Sequence, residues 1–460
     1  MFEQGRSTLP TGEDGRILDR LAGLEKVISP ALIRQVLHDT NRVNGRACEL
    51  THEVMIWVVL AMGLLTHLPI RQVFRHARRM GLDKKCPARS SLCVARQRLG
   101  VEPLRALHAA VVKPLATSDT PGAFYRHWRL MAFDGVVMDV PDSEANAPFG
   151  RSSGSRGEAA FPQIRKVSLV ELGTHVETAI AIGGWHDDER ALARALYDRL
   201  PHDTLLLEDR GFFSYEDWKA LYLRVKMLVR MKSHHVLEPL RILSDGSFLT
   251  KIYPNGHDRE KDRDGILVRA IRYTLDDPQR TGHKEPHCLL TNLFDENDCP
   301  ALELIELYHE RWEEELVFDE QKTHQDPRRA EKPAQLRSET PNGVRQELYA
   351  LSLGHYVVRA LMFESARRAS LDVDRLSFTG CFRILQCRLP ECDSRTPVTL
   401  TQWYDSLLSE MQTERTEARR NRINPRVIKR KMSKWNKKLI EHRRPPPLQK
   451  TFTQCVVMKT

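Results

Sequence analysis

Asp134 lies inside an apolar stretch, Leu130–Val140, and Asp209 closes the short run Leu205-Leu206-Leu207. A carboxylate among aliphatic neighbours is unfavourable unless a cation or hydrogen bonds compensate it. The bland reading of Asp134 is a strand-edge Asp meeting a backbone N–H; that of Asp209 is a turn-forming Asp ahead of Gly211. A third feature shifts the balance. Tyr308, Arg311, Glu315 and Lys322 stand at offsets 0, 3, 7 and 14, which on an α-helix gathers them within about 60° of one face. Glu313 and Glu314 point elsewhere. Carboxylates from two strands and one helix suit a pair of Mg²⁺ ions held about 3.5–4 Å apart, the arrangement that serves in-line phosphoryl transfer. Mg²⁺ takes hard oxygen ligands and keeps several waters, so few protein carboxylates suffice. Cations on the same helix would then steady the phosphates of a scissile strand.

The elements that must carry these residues are legible from periodicity. Residues 30–115 read as helical, with apolar helical spacing through Ala31–Leu37, Val54–Leu65, Ile70–Met80 and Ser91–Leu99. The pair 69–80 and 88–99, joined through Gly81 and Pro87, is a candidate helix-turn-helix whose second member would turn Arg96, Gln97 and Arg98 to DNA; an ordinary bundle is the alternative. From about 126 the pattern becomes strand-like: Leu130–Val140, then Arg165–Leu172 and His175–Ile182 about a Gly173-Thr174 turn. A helix over 188–200, the strand Thr204–Glu208, a helix over 214–224 and a strand over 226–231 complete a mixed α/β layer. Residues 233–286 read as a mostly β insertion built on Ser247–Tyr253 and Ile266–Leu275. The sheet resumes at His287–Leu293, a long helix covers Ala301–Gln325, and another covers 345–369.

Length and charge set the frame. A chain of 460 residues is too long for one ordinary core. Its net charge of +10 is unevenly placed: Arg415–Lys450 holds fourteen Lys/Arg against two Glu, so the remainder is close to neutral. Such a block is a ready partner for phosphate backbones, although a solvated helix face has a similar composition. The nine cysteines follow no Cys-x-x-Cys spacing; Cys381, Cys387 and Cys392 could hold zinc, but free thiols are the expectation. Glu3, Glu13 and Asp14 near the start do not suit a signal peptide, and the apolar run Val54–Leu65 falls short of the ~20 residues of a bilayer span. The expectation is a soluble, cytoplasmic protein.

The third motif, Tyr-x2-Arg-x3-Glu-x6-Lys, resembles at every position the signature of the DDE transposases of the bacterial insertion-sequence-four group. Phe133-Asp134-Gly135, Pro141-Asp142, Phe149-Gly150 and Glu208-Asp209-Arg210-Gly211-Phe212 look like the same family, as do Leu336-Arg337-Ser338, Gln346-Glu347 and the segment Ala95–Gly100. The resemblance covers roughly residues 20–370. It implies an α/β fold: a ribonuclease-H-like mixed sheet with helices (126–232 and 287–370), interrupted by the β insertion 233–286. An all-helical DNA-binding domain (1–120) would precede it, and a helical C-terminal region with the basic tail (371–460) would follow. It implies Asp134, Asp209 and Glu315 as ligands of two Mg²⁺, with Mn²⁺ a plausible substitute. Tyr308, Arg311 and Lys322 would contact DNA near the cleaved end, with Arg210, Arg96 and Arg98 as further contacts.

The activity implied is hydrolytic nicking followed by attack of the freed 3′-OH on DNA, on terminal inverted repeats and target duplex, within a homodimeric synapse. Relatives in the family can form a hairpin with a tryptophan in the insertion taking up a flipped base. This insertion has no Trp; Trp218 lies just before it, and Phe248, Tyr253 and Tyr273 are the aromatic candidates within it. Two alternatives stay open on sequence: a related metal nuclease or resolvase that cuts without joining, and a DNA-binding regulator without catalysis.

Overall fold

The computed structural model describes residues 19–45, 48–78, 85–154, 157–231, 236–278, 283–310, 317–326, 336–392, 397–417, 427–428, 436–437 and 450–459. Among the described residues a 3-10 helix, Asp19–Lys26, is followed by five α-helices: α1 (Pro30–Asp39), α2 (His52–Leu64), α3 (Ile70–Ala77), α4 (Arg89–Leu99) and α5 (Glu102–Val111). Next come β1 (Trp128–Asp139), β2 (Gln163–Glu171), β3 (Val176–Gly184), α6 (Glu189–Arg194), β4 (Thr204–Glu208), α7 (Tyr215–Leu221) and β5 (Lys226–Arg230). β6 (Phe248–Ile252), β7 (Ile266–Leu275) and β8 (His287–Thr291) lead to α8 (Ala301–Glu310) and a π turn, Glu320–Gln325. α9 (Pro341–Arg368), α10 (Phe378–Arg388), α11 (Pro397–Met411) and β9 (Val456–Lys459) follow. The fold is mixed α/β with a large mixed sheet.

The chain divides into two compact units, Met1–Pro121 with Gly135–Leu196 and Glu314–Glu417, and Gly122–Asp134 with Tyr197–Glu313 and Ala418–Thr460. The first is mainly helical. Its α2 is buried from Val54 through Leu64, because the sequence is apolar on every face and only the core accepts such a helix. Thr51 caps it, its hydroxyl accepting the Val54 N–H at 3.2 Å. No described helix is long and apolar enough to cross a membrane. Helices α2 and α9 meet backbone to backbone: a Cβ added at Gly63 would fall 2.0 Å from the Ala350 carbonyl oxygen. One hydrophobic core joins α1–α5 to α9–α11, with Val176 and Ile180 of β3.

Within this unit α3 buries Ile70, Val73, Phe74 and Ala77, and α4 buries Leu92, Ala95 and Leu99. Gly81, in the proposed turn between them, lies outside the described residues. Arg96 is turned inward, donating to the Gly343 carbonyl at 2.6 Å, while Gln346 donates back to the carbonyls of Arg96 and Gly100. Packing against the start of α9 therefore occupies Arg96, whereas Arg98, like Arg89 at the start of α4, is exposed. β2 and β3 form an antiparallel hairpin with a register shift at Leu169/Val170, and His175 takes the left-handed turn position at φ 56°.

In the second unit β4 pairs in parallel with β1 from Arg129↔Thr204 to Ala132↔Leu207, and β5 pairs in parallel with β4 on its other side. All five residues of β4 are buried, which is why it reads as an unbroken apolar run rather than an alternation. β8, β7 and β6 then add in antiparallel order, and β9 pairs with the end of β7 from Arg272↔Lys459 to Leu275↔Val456. The insertion expected to be mostly β supplies β6 and β7, with a short helix, Gly256–Glu260, in its charged turn. Arg269 is fully buried there, tied to Asp245, Ser247 and the carbonyls of Leu293 and Cys299. A buried guanidinium is tolerated only with its donors satisfied in this way. Of the aromatic candidates in the insertion, Phe248 and Tyr273 are buried; Tyr253 is partly exposed, its hydroxyl donating to Asp262 at 2.8 Å.

Candidate active site

Asp134 is half-buried on β1, next to the fully buried Phe133. The first half of β1 is covered on both faces, so Met131 and Phe133 are as buried as Leu130 and Ala132; alternation starts only at Gly135. Phe133 lies against Tyr197 and Phe212, with ring centroids 5.9 and 6.3 Å away. Asp209 is half-buried and leaves β4 in a tight turn: its carbonyl accepts the Phe212 N–H at 3.0 Å, and its carboxylate accepts the Arg210 N–H at 2.8 Å. The last paired residues of β1 and β4 are Ala132 and Leu207, and two residues further along each strand stand Asp134 and Asp209. Neighbouring parallel strands run about 4.7–4.9 Å apart, and ligand sites in such sheets collect beyond the carboxyl ends. Two hard oxygen donors in this position fit a divalent cation of the Mg²⁺ class.

The motif helix is tied to the same strand end. Tyr308 is buried, and its hydroxyl donates to the carbonyl of Glu208, the residue before Asp209, at 3.3 Å. The adjacent His309 bonds the Tyr273 hydroxyl at 3.1 Å and packs on Phe452, centroid to centroid 4.4 Å. Arg311 and Glu315 lie outside the described residues, and Arg210 is exposed. Among the described residues no three His, Cys, Asp or Glu side chains form a metal-holding group, which leaves Asp134 and Asp209 as the described pair of the expected three. Most of the basic stretch 415–450 also lies outside them.

Lys322 is half-buried in the π turn, where the sequence periodicity predicts a uniform α-helix to Gln325. The Asp326 N–H reaches back five residues to the Gln321 carbonyl at 2.8 Å. Sequence periodicity missed the reason, which is a set of buried polar side chains. Glu320 pairs with Arg359 and with His355 Nε2 at 2.9 Å. Gln321 joins the buried pair Lys166–Glu177. Burial pushes the Glu320 carboxyl up, but the Arg359 charge and bonds from His175 and His355 outweigh it and hold the group well below the usual range. Burial likewise opposes ionisation of Glu177, and Lys166 with the Ser168 hydroxyl holds it at about 2. Glu208 goes the other way: burial, then the charge of Asp217, pushes it up to about 8. The only sequence signal for these groups was acids and amides at positions where periodicity asks for apolar residues.

Two family models match the chain: insertion element 4 transposase N-terminal over residues 18–109, and transposase DDE domain over residues 129–353. The transposase InsG for insertion sequence element IS4 of Escherichia coli (strain K12) is 29% identical over 430 residues, covering 90% of this chain and 93% of the relative. The putative transposase InsZ of the same organism is 25% identical over 171 residues, covering 37% of this chain and 56% of the relative.

Proposed function

Because the chain belongs to the insertion-element-4 family of DDE transposases, we propose that it binds the terminal inverted repeats of its element and moves the DNA by two-metal cleavage and 3′-OH strand transfer, of the cut-and-paste kind. The supporting observation is the placement of Asp134 and Asp209 two residues beyond the last paired position of adjacent parallel strands. With Glu315 they would hold two Mg²⁺, or Mn²⁺, on a ribonuclease-H-like core. When bound, the ions supply charge stabilisation at the scissile phosphate and an acidified water.

The chain's own residues do the rest. Tyr308, anchored at Glu208, fixes the last turn of α8 against the turn that carries Asp209. Arg311, Lys322 and Arg210 would neutralise strand phosphates, and Arg98, exposed on α4, would be available to the terminal repeat. Water adds to phosphorus and the 3′-oxygen leaves as a hydroxyl; that hydroxyl then attacks a target phosphodiester, expelling its own 3′-oxygen. Two copies acting on two ends make the synapse.

The test uses purified protein, a duplex bearing the terminal repeat that flanks the coding sequence, a target duplex and Mg²⁺, with products resolved on a denaturing gel. Asp134→Asn, Asp209→Asn and Glu315→Gln should each lower cleavage at least about 10³-fold while end binding persists. Undiminished cutting by any of them removes that residue from the site. Cutting without joined product by the wild-type protein would make it a nuclease, and binding without cutting a regulator.

A further inference from the structure

The π turn carries three buried polar residues, Glu320, Gln321 and Gln325, and one half-buried cation, Lys322. On a regular α-helix the first three would spread over about 140°. The wider turn stacks Glu320 with Gln325, five residues on, so that all three meet the protein interior. Each is tied to a different partner. Glu320 takes the Arg359 guanidinium, with Nε at 3.0 Å, and His355; Arg359 is in turn bonded to His175 Nδ1 at 2.7 Å. Gln321 accepts from Lys166 Nζ at 2.6 Å and donates to Glu177 at 3.1 Å. Gln325 donates to the carbonyls of Gly63 and Leu351 at 2.8 and 2.9 Å, and its own carbonyl accepts the Thr66 hydroxyl at 2.6 Å. Thr323 and His324, which follow Lys322, are exposed. A π turn is rare and persists only where its surroundings over-determine it; here the surroundings are these ties.

We propose that Glu320 is a positioning residue: by engaging Arg359 and His355 it holds the π turn in place and so sets where Lys322 meets a DNA phosphate. The inference rests on the reading of Lys322 as a phosphate contact. Glu320 is buried and does not reach DNA itself; it acts through the backbone of the turn. Without its carboxylate the strongest tie to α9 is lost, the turn relaxes toward α-helical winding, and Lys322, two residues on, rotates with it. Loss of an acid also adds one positive charge to the protein, which by electrostatics alone strengthens attraction to a polyanion. Weakened DNA binding on loss of Glu320 is therefore a signature of displacement, opposite in sign to the plain charge effect.

The test is the salt dependence of affinity for a labelled duplex carrying the terminal repeat, measured for the wild type, Lys322→Ala, Glu320→Gln and the two combined. Each phosphate contact contributes about 0.9 to the slope of log affinity against log salt. Lys322→Ala should lower the slope by about that amount, Glu320→Gln should do the same, and the combination should go no lower. If Glu320→Gln does not remain folded by circular dichroism, Glu320→Gln with Arg359→Met removes both charges at once and takes its place. A Glu320 variant that melts earlier yet keeps the wild-type slope, or one that adds to Lys322→Ala, overturns the positioning role while leaving the Lys322 contact standing. An unchanged slope for Lys322→Ala refutes the phosphate contact itself, and the inference with it.

Discussion

Glu208 and Glu320 are buried to nearly the same depth, 2% and 4% exposed, and each sits close in sequence to a residue of the candidate site. Their charge states are opposite. Beside Glu208 stands another acid, Asp217, and the carboxyl keeps its proton up to about pH 8. Beside Glu320 stand Arg359 and His355, and the carboxylate stays ionised far into acid. Burial is common to both, so it is the sign of the neighbour that decides. A neutral acid ends the strand that leads to Asp209, where further negative charge would compete for the cations expected there. A charged one pins the turn that carries Lys322.

The largest effect that would break this comparison comes from Glu320→Ala. It strands the Arg359 charge in the interior and should destabilise the protein by about 3–5 kcal/mol, read as a lower urea midpoint; a loss below about 1 kcal/mol would show that Arg359 does not depend on this partner. Next comes the acid limb. Glu177 and Glu320 have folded values below the ordinary 4.5, so the unfolded chain binds more protons as pH falls. Their contribution is complete above pH 4.5 and is lost as pH falls toward 2, the value at which Glu177 is held. Thermal midpoints should drop across that window, and Glu177→Gln should flatten part of the drop while lowering the plateau. A drop of equal size in Glu177→Gln would place the titration elsewhere.

The smallest effect is at Glu208, where the sign reverses. Between 4.5 and about 8 the folded protein holds a proton that the unfolded chain has released, so stability is complete below 4.5 and declines as pH rises through 8. Gln matches the protonated carboxyl in shape. Glu208→Gln should therefore change stability by less than about 1 kcal/mol at pH 5 and remove the decline toward pH 8. A variant with the same decline would assign it to another group.

Most of the architecture was legible beforehand. The all-apolar run of α2, the period-two strands β2 and β3 and the short apolar strand ending at Asp209 all formed where periodicity placed them. These are local patterns that one face or one core can impose. What stayed hidden depends on partners far away in sequence. The π turn is held by Lys166, Arg359 and the Gly63 carbonyl, and no window of residues around 320 contains any of them. Arg96 looked like a residue turned to DNA because its neighbours are polar; its engagement with Gly343 lies almost 250 residues further on. The charge state of Glu208 was equally out of reach, since it depends on the fold bringing Asp217 against it.

The pairing of Val456–Lys459 with Arg272–Leu275 has a consequence for biogenesis. A polypeptide emerging from the ribosome presents the edge of β7 long before the strand that covers it has been synthesised. This part of the sheet therefore closes only after translation has passed Tyr308 to Lys322, and a product cut short before residue 456 would keep an open β edge of the kind that seeds misassembly.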